Sequence, residues 1–154
     1  MPTQAARERP VRLKLNPIKD IVQDRTVTLI DDSIVRGTTS TQLVQLMRDV
    51  GAEAVHVRIG APPIVAPCYM GIDMASREEL IAADRTTEEI GEEISADSLE
   101  YLSIESVAGA LDQSRPALCL GCVTGEYPYD IEGESADSDE ERPTIGSEPA
   151  AADD

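Results

Sequence analysis

The run TVTLIDDSIVRGTTS, Thr26 to Ser40, constrains the fold of this chain more than any other stretch. Thr26 to Ile30 is β-branched and apolar and has the length of a strand. It ends at two adjacent carboxylates, Asp31 and Asp32, and Ser33-Ile34-Val35-Arg36 and Gly37-Thr38-Thr39-Ser40 follow. Leu43, Val44, Leu46, Met47 and Val50 then recur at helical spacing. A strand, a loop rich in glycine and hydroxyls, and a helix start make an anion cradle. Loop N–H groups converge there, the helix dipole adds partial positive charge, and hydroxyls add donors. Carboxylates cannot take phosphate, so Asp31 and Asp32 need sugar hydroxyls, a metal ion, or both. Together these features describe a site for a phosphorylated ribose. The plain alternative is an ordinary βα turn with Ser40 or Thr39 capping a helix; two acids followed by the full loop favour the site.

The flanking segments place this run in an α/β fold. Val11 to Leu15 alternates apolar and basic residues like a short strand, which Asn16-Pro17 stops, and Ile18 to Arg25 is a connection. A helix is expected over Thr41 to Val50, with Gly51 where a C-terminal glycine belongs. Val55, Val57 and Ile59 alternate with His56 and Arg58 in a second strand. Strand, helix and strand at this spacing predict a right-handed βαβ unit with parallel strands and a ligand at their carboxyl ends, where Asp31 and Asp32 lie. Gly60 to Pro63 turns the chain, Ile64 to Met74 is a loop, and short helices follow. Ser76 with Glu79 reads as a capping box, and Thr87-Glu88-Glu89 as an acidic first turn. Ser103 caps a helix over Ile104 to Leu111, which Ser114-Arg115-Pro116 ends.

The length of 154 residues predicts one domain, 1–129, and an acidic tail, 130–154, with nothing to bury and expected to be disordered. Phe and Trp are absent, so the core must come from Val, Ile, Leu and Ala. The net charge is −17 and the only lysines are Lys14 and Lys19, which argues against nucleic acid and anionic lipid as partners. The tail carries ten acids and one arginine, and the rest of the chain is still acidic. Such a surface suits a salt-loaded cytoplasm, where repulsion is screened. No apolar run reaches membrane-spanning length and the N-terminus has no signal-peptide core, so a soluble, cytoplasmic protein is expected.

Three cysteines, Cys68, Cys119 and Cys122, are an odd set for a disulfide framework. Cys119-x-x-Cys122 admits three readings besides plain buried thiols. A thioredoxin-like pair needs to open a helix after a strand, and Val123-Thr124-Gly125 starts a helix poorly. Zinc needs four ligands, as does an iron–sulfur cluster, for which Cys68, Cys119 and Cys122 supply three. His56 sits between two apolar strand residues, so packing or surface placement is its default.

Several blocks in order resemble one family. The run Thr26 to Ser40 resembles the phosphoribosyl-pyrophosphate (PRPP) loop of type I phosphoribosyltransferases. With LKLNP (Leu13 to Pro17), PPI–PC–GIDM–REELIA (Pro62 to Ala82), ADSLEYLS (Ala96 to Ser103) and the final CxxC-TGEYP, it is similar to the glutamine PRPP amidotransferases. The likeness runs from Pro2 to Tyr129, and Pro2-Thr3-Gln4 with Arg7 resembles the end of that family's flexible loop. It implies a partial type I phosphoribosyltransferase fold and formation of 5-phosphoribosylamine from PRPP and glutamine, the first step of purine synthesis. By it, Asp31, Asp32, Ser33, Gly37, Thr38, Thr39 and Ser40 bind PRPP, Asp31 and Asp32 also hold Mg²⁺, and the full enzyme is a homo-oligomer. One branch carries a [4Fe–4S] cluster whose cysteine pattern matches Cys68, Cys119 and Cys122, with a fourth ligand missing from this chain. The nucleophilic cysteine of the family's glutaminase half and its upstream pyrophosphate loop have no counterpart, so the chain is expected to be the C-terminal part, with ammonia from glutamine supplied by the glutaminase domain. A non-catalytic PRPP- or nucleotide-sensing module, or a metal-binding or redox module, is the alternative.

Overall fold

A computed structural model describes residues 15–72, 76–129 and 131. Three parallel strands form one sheet in the order β1 (Thr26–Asp31), β2 (Ala54–Ile59), β3 (Ser98–Tyr101). A one-turn helix α1 (Lys19–Val22) precedes β1, and α2 (Thr38–Asp49) connects β1 to β2. Between β2 and β3 the chain runs through a loop, a 3₁₀ turn (Arg77–Glu79) and α3 (Thr87–Glu93). Helix α4 (Ile104–Ala110), a second 3₁₀ turn (Arg115–Ala117) and α5 (Gly121–Thr124) complete it. The expected parallel α/β core is present. Of the strand expected over Val11 to Leu15, residues 11–14 lie outside the described residues and Leu15 is not in a strand; the acidic tail expected over 130–154 lies outside them except for residue 131.

One sheet face and the helices above it make the main core. Val55, Val57 and Ile59 of β2 alternate inward and pack with Val44 of α2, Ile90 of α3, Ile94, Leu99 of β3, Ile34, Ile81 and Ala82. Every member is aliphatic, as the absence of Phe and Trp requires. The opposite face is open: Thr26, Thr28 and Ile30 of β1 are exposed, Ile30 to 82%. His56 lies on that side, half-buried, with Nδ1 2.8 Å from Ser98 Oγ, so it is a surface residue of the sheet.

Several local expectations change. Helix α2 begins at Thr38, three residues before the expected start, so Thr38, Thr39 and Ser40 form its first turn. Neither Ser40 nor Thr39 caps it; Gly37 stands at the N-cap with φ of 74° and no side chain caps the helix. Ser76 forms no side-chain cap, because Glu79 turns away to pair with Arg36 at 2.7 Å. Thr87 opens α3 with Glu88 and Glu89 in its first turn, as expected, and Thr86 is its N-cap, in a complete capping box with Glu89. Ser103 caps α4 through Ser106 N–H as expected, and Gly51 ends α2 at φ of 95°. Strand β3 was not expected: its Ser98 and Glu100 dilute the β signal, although Leu99 and Tyr101 keep the period of two.

Candidate functional site

The carboxyl end of β1 delivers Asp31 and Asp32 to the start of the loop. Asp31 pairs with Ile59 of β2, and its carbonyl accepts from Gly60 N–H at 2.9 Å, which fixes the strand end. Each carboxylate then caps the next amide: Asp31 Oδ1 accepts from Asp32 N–H at 2.9 Å and Asp32 Oδ1 from Ser33 N–H at 2.8 Å. One oxygen of each is thereby held in place while the other is left for a ligand.

At the far end of the loop, Gly37 makes the turn into α2. Its left-handed backbone favours glycine, and a Cβ there would lie 2.5 Å from Ile81 Cδ1. Thr41 N–H and Oγ1 both donate to the Gly37 carbonyl, at 2.9 and 3.0 Å, anchoring that turn. With no side-chain cap, the first-turn N–H groups of Thr38, Thr39 and Ser40 have no acceptor within the helix. This is an uncapped, twelve-residue helix facing a loop end, the arrangement that receives phosphate. Thr39 is exposed and Thr38 half-buried, whereas Ser40 is 6% exposed on the core-facing side with Val44. Ser40 therefore contributes its backbone N–H more readily than its hydroxyl.

Two contacts that the sequence did not disclose hold the loop between these ends. Val35 C=O accepts from Ile81 N–H at 2.9 Å, and Arg36 Nη2 donates to Glu79 Oε2 at 2.7 Å. The segment around Arg77 to Ile81 thus forms the wall behind the loop. An arginine followed by a distant REEL run carries no spacing signal for such a pair.

The three cysteines come to one end of the fold. Cys68 and Cys122 are half-buried and pack, with Val35 and Ala83, against Ile64 and Leu80, while Cys119 is exposed. None is in a disulfide. Val65 and Ala66 N–H groups donate to the Cys122 carbonyl at 2.9 and 3.0 Å, joining the two segments. Burial pushes the Cys122 thiol up, and the neighbouring Cys68 and Cys119 push it further. Cys119 and Cys122 follow a 3₁₀ turn and not a strand, which removes the thioredoxin-like arrangement.

Among the described residues, no group of three or more His, Cys, Asp or Glu side chains is gathered closely enough to hold a metal ion. Asp31 and Asp32 still fit Mg²⁺, which is commonly bound through one or two carboxylates plus substrate oxygens and water. The cysteines fit an iron–sulfur cluster in donor chemistry, as three free thiols from two segments, though they do not by themselves close a site. No helix among the described residues is long and apolar enough to cross a membrane.

No protein-family model matches the chain. It is 53% identical over 139 residues to an amidophosphoribosyltransferase of Archaeoglobus fulgidus, covering 89% of this chain and 30% of that protein. With the amidophosphoribosyltransferase of Bacillus subtilis the identity is 47% over 134 residues, or 84% of this chain and 28% of that one. A solved glutamine PRPP amidotransferase from B. subtilis, complexed with ADP and GMP, superposes with a TM-score of 0.74 at 45% identity, over 88% of this chain and 31% of that chain. The chain therefore spans about 30% of the length of these relatives. It is homologous over most of its length to the amidophosphoribosyltransferases, whose type I phosphoribosyltransferase fold it shares in this part.

Proposed function

We propose that this chain supplies the PRPP-binding part of an amidophosphoribosyltransferase, which forms 5-phosphoribosylamine from PRPP and ammonia released from glutamine. The observation that carries the proposal is the pairing of two pinned carboxylates at the end of β1 with an uncapped N-terminus of α2 across one short loop. Asp31 and Asp32 accept the ribose hydroxyls. Gly37, Thr38, Thr39 and Ser40, with Ser33 at the loop start, take the 5′-phosphate through N–H groups and hydroxyls. Displacement of pyrophosphate builds positive charge on the ribose ring, which the two carboxylates stabilise while the loop fixes the sugar in place. Mg²⁺ held by Asp31 and Asp32 would neutralise the departing pyrophosphate.

Cys68, Cys119 and Cys122 would provide three of the four ligands of a [4Fe–4S] cluster, tying the loop at residues 64–72 to the last helix. Residues 1–129 form the last part of the phosphoribosyltransferase domain, and residues 130–154 a solvating acidic tail. The assembled enzyme is a homo-oligomer in the cytoplasm, and its acid-rich surface fits a salt-rich one. The open face of β1 supports the view that the remaining two thirds of the relatives' length completes the domain.

The test is phosphoribosylamine formation from PRPP and ammonia by this chain joined to the upstream region of its relatives. Activity that falls with Asp31→Asn or Asp32→Asn supports the proposal. Mg·PRPP binding without turnover by the joined protein would favour a sensing module instead.

A further inference from the structure

We propose that Tyr127 is the positioning residue of the cysteine set, clamping the turn that carries Cys68 onto the turn that carries Cys122. The inference rests on the reading of Cys68, Cys119 and Cys122 as ligands of one metal group. Tyr127 reaches both turns at once. Its hydroxyl donates to the carbonyl of Pro67, the residue before Cys68, at 2.5 Å. Its ring meets Tyr69, the residue after Cys68, edge to face, with centroids 5.0 Å apart and planes at 67°. The same ring lies over Gly121, the residue before Cys122, where a Cβ would stand 2.5 Å from Cδ1 and 2.6 Å from Cε1.

The chain returns to make these contacts because Gly125 ends α5 in the left-handed conformation, φ of 76°. One side chain thus touches both neighbours of Cys68 and the residue preceding Cys122. The backbone bonds from Val65 and Ala66 to the Cys122 carbonyl set the height of the joint, and the Tyr127 ring sets its width. Met70 N–H, 3.4 Å from Cys68 Sγ, fixes the thiol's own direction. Holding donors from two segments at a set separation before a metal arrives lowers the ordering cost of ligation.

The test uses the full chain with Cys119→Ser, leaving two thiols, and a short bifunctional maleimide that links Cys68 to Cys122. The linking rate is normalised to single-site alkylation by N-ethylmaleimide, which general loosening raises and does not lower. Tyr127→Phe keeps the ring and removes the hydroxyl, and it is expected to slow normalised linking about fivefold, the shift that one hydrogen bond supports. In parallel, Co²⁺ is titrated into the chain with all three cysteines, reading the thiolate-to-cobalt absorption. Tyr127→Phe is expected to weaken Co²⁺ binding by a similar factor. Linking at the unsubstituted rate in Tyr127→Phe overturns the clamp, whatever cobalt does. Absence of the cobalt band from the unsubstituted chain overturns the shared-metal reading, while slowed linking in Tyr127→Phe would still uphold the clamp.

Discussion

At the scale of single residues, Gly37 and Asp97 show how much of the loop's support is backbone geometry. Gly37 combines a left-handed backbone with a missing Cβ that Ile81 already occupies. Gly37→Ala is therefore expected to destabilise the fold by about 1–3 kcal/mol, from the conformational penalty and the displaced isoleucine. Urea denaturation checks it, and an unchanged midpoint would mean that the turn relaxes freely. Asp97 accepts from Val55 N–H at 2.6 Å and from Arg48 Nη2 at 3.0 Å, latching the start of β2 to α2. The Val55 bond first, and then Arg48, hold its carboxyl below the usual range, against an opposing effect of burial. A lowered pKa in the folded state means that the stabilisation is present above the unfolded value of about 3.9 and is lost as pH falls through the folded value. Asp97→Asn should then cost about 1 kcal/mol near neutral pH, and the difference from the unsubstituted chain should shrink below about pH 4. Thermal melts of both across pH 2–7 measure it. The acidic pair at 31 and 32 was legible because carboxylates at a strand end have few bland uses. The Arg36–Glu79 pair and the Tyr127 contacts were not, because each joins segments far apart in the chain.

At the scale of elements, sequence patterns gave β1, α2 and β2 within a few residues, since their apolar spacing is set by the core they bury. Their ends moved where backbone chemistry decides. Helix α2 starts early because Gly37 makes the turn and leaves Thr38 to Ser40 free to enter the helix. Helix α3 starts at Thr87 because Thr86 caps it, and Glu89, three residues on, accepts from the Thr86 N–H at 2.8 Å. The acidic first turn opened by Thr87 was legible, and the capping role of Thr86 just before it was not. Thr86→Ala is expected to cost about 1 kcal/mol, the usual value of a capping residue, with Thr87→Ala nearly neutral. Chemical denaturation of the two variants compares them; equal losses would contradict the assigned cap. Strand β3 was hidden by its brevity and its polar alternation, and its pairing with β2 over His56–Ile59 is a tertiary fact.

At the scale of the whole molecule, a βαβ core puts the proposed ligand site at the carboxyl end of β1, which among the described residues is an edge strand with one face open. Ile30, 82% exposed next to the carboxyl end of β1, marks the face that the remainder of the relatives' length is proposed to cover. The proposed function requires that the Asp31–Asp32 pair and the start of α2 bind a ribose phosphate. Isothermal calorimetry of Mg·PRPP into the folded chain tests it most directly. Saturable binding is predicted, weakened about tenfold or more by Asp31→Asn or Asp32→Asn, the loss of a charge-assisted contact, with the melting temperature held. No binding by a folded chain, or equal binding by the two variants, would contradict it.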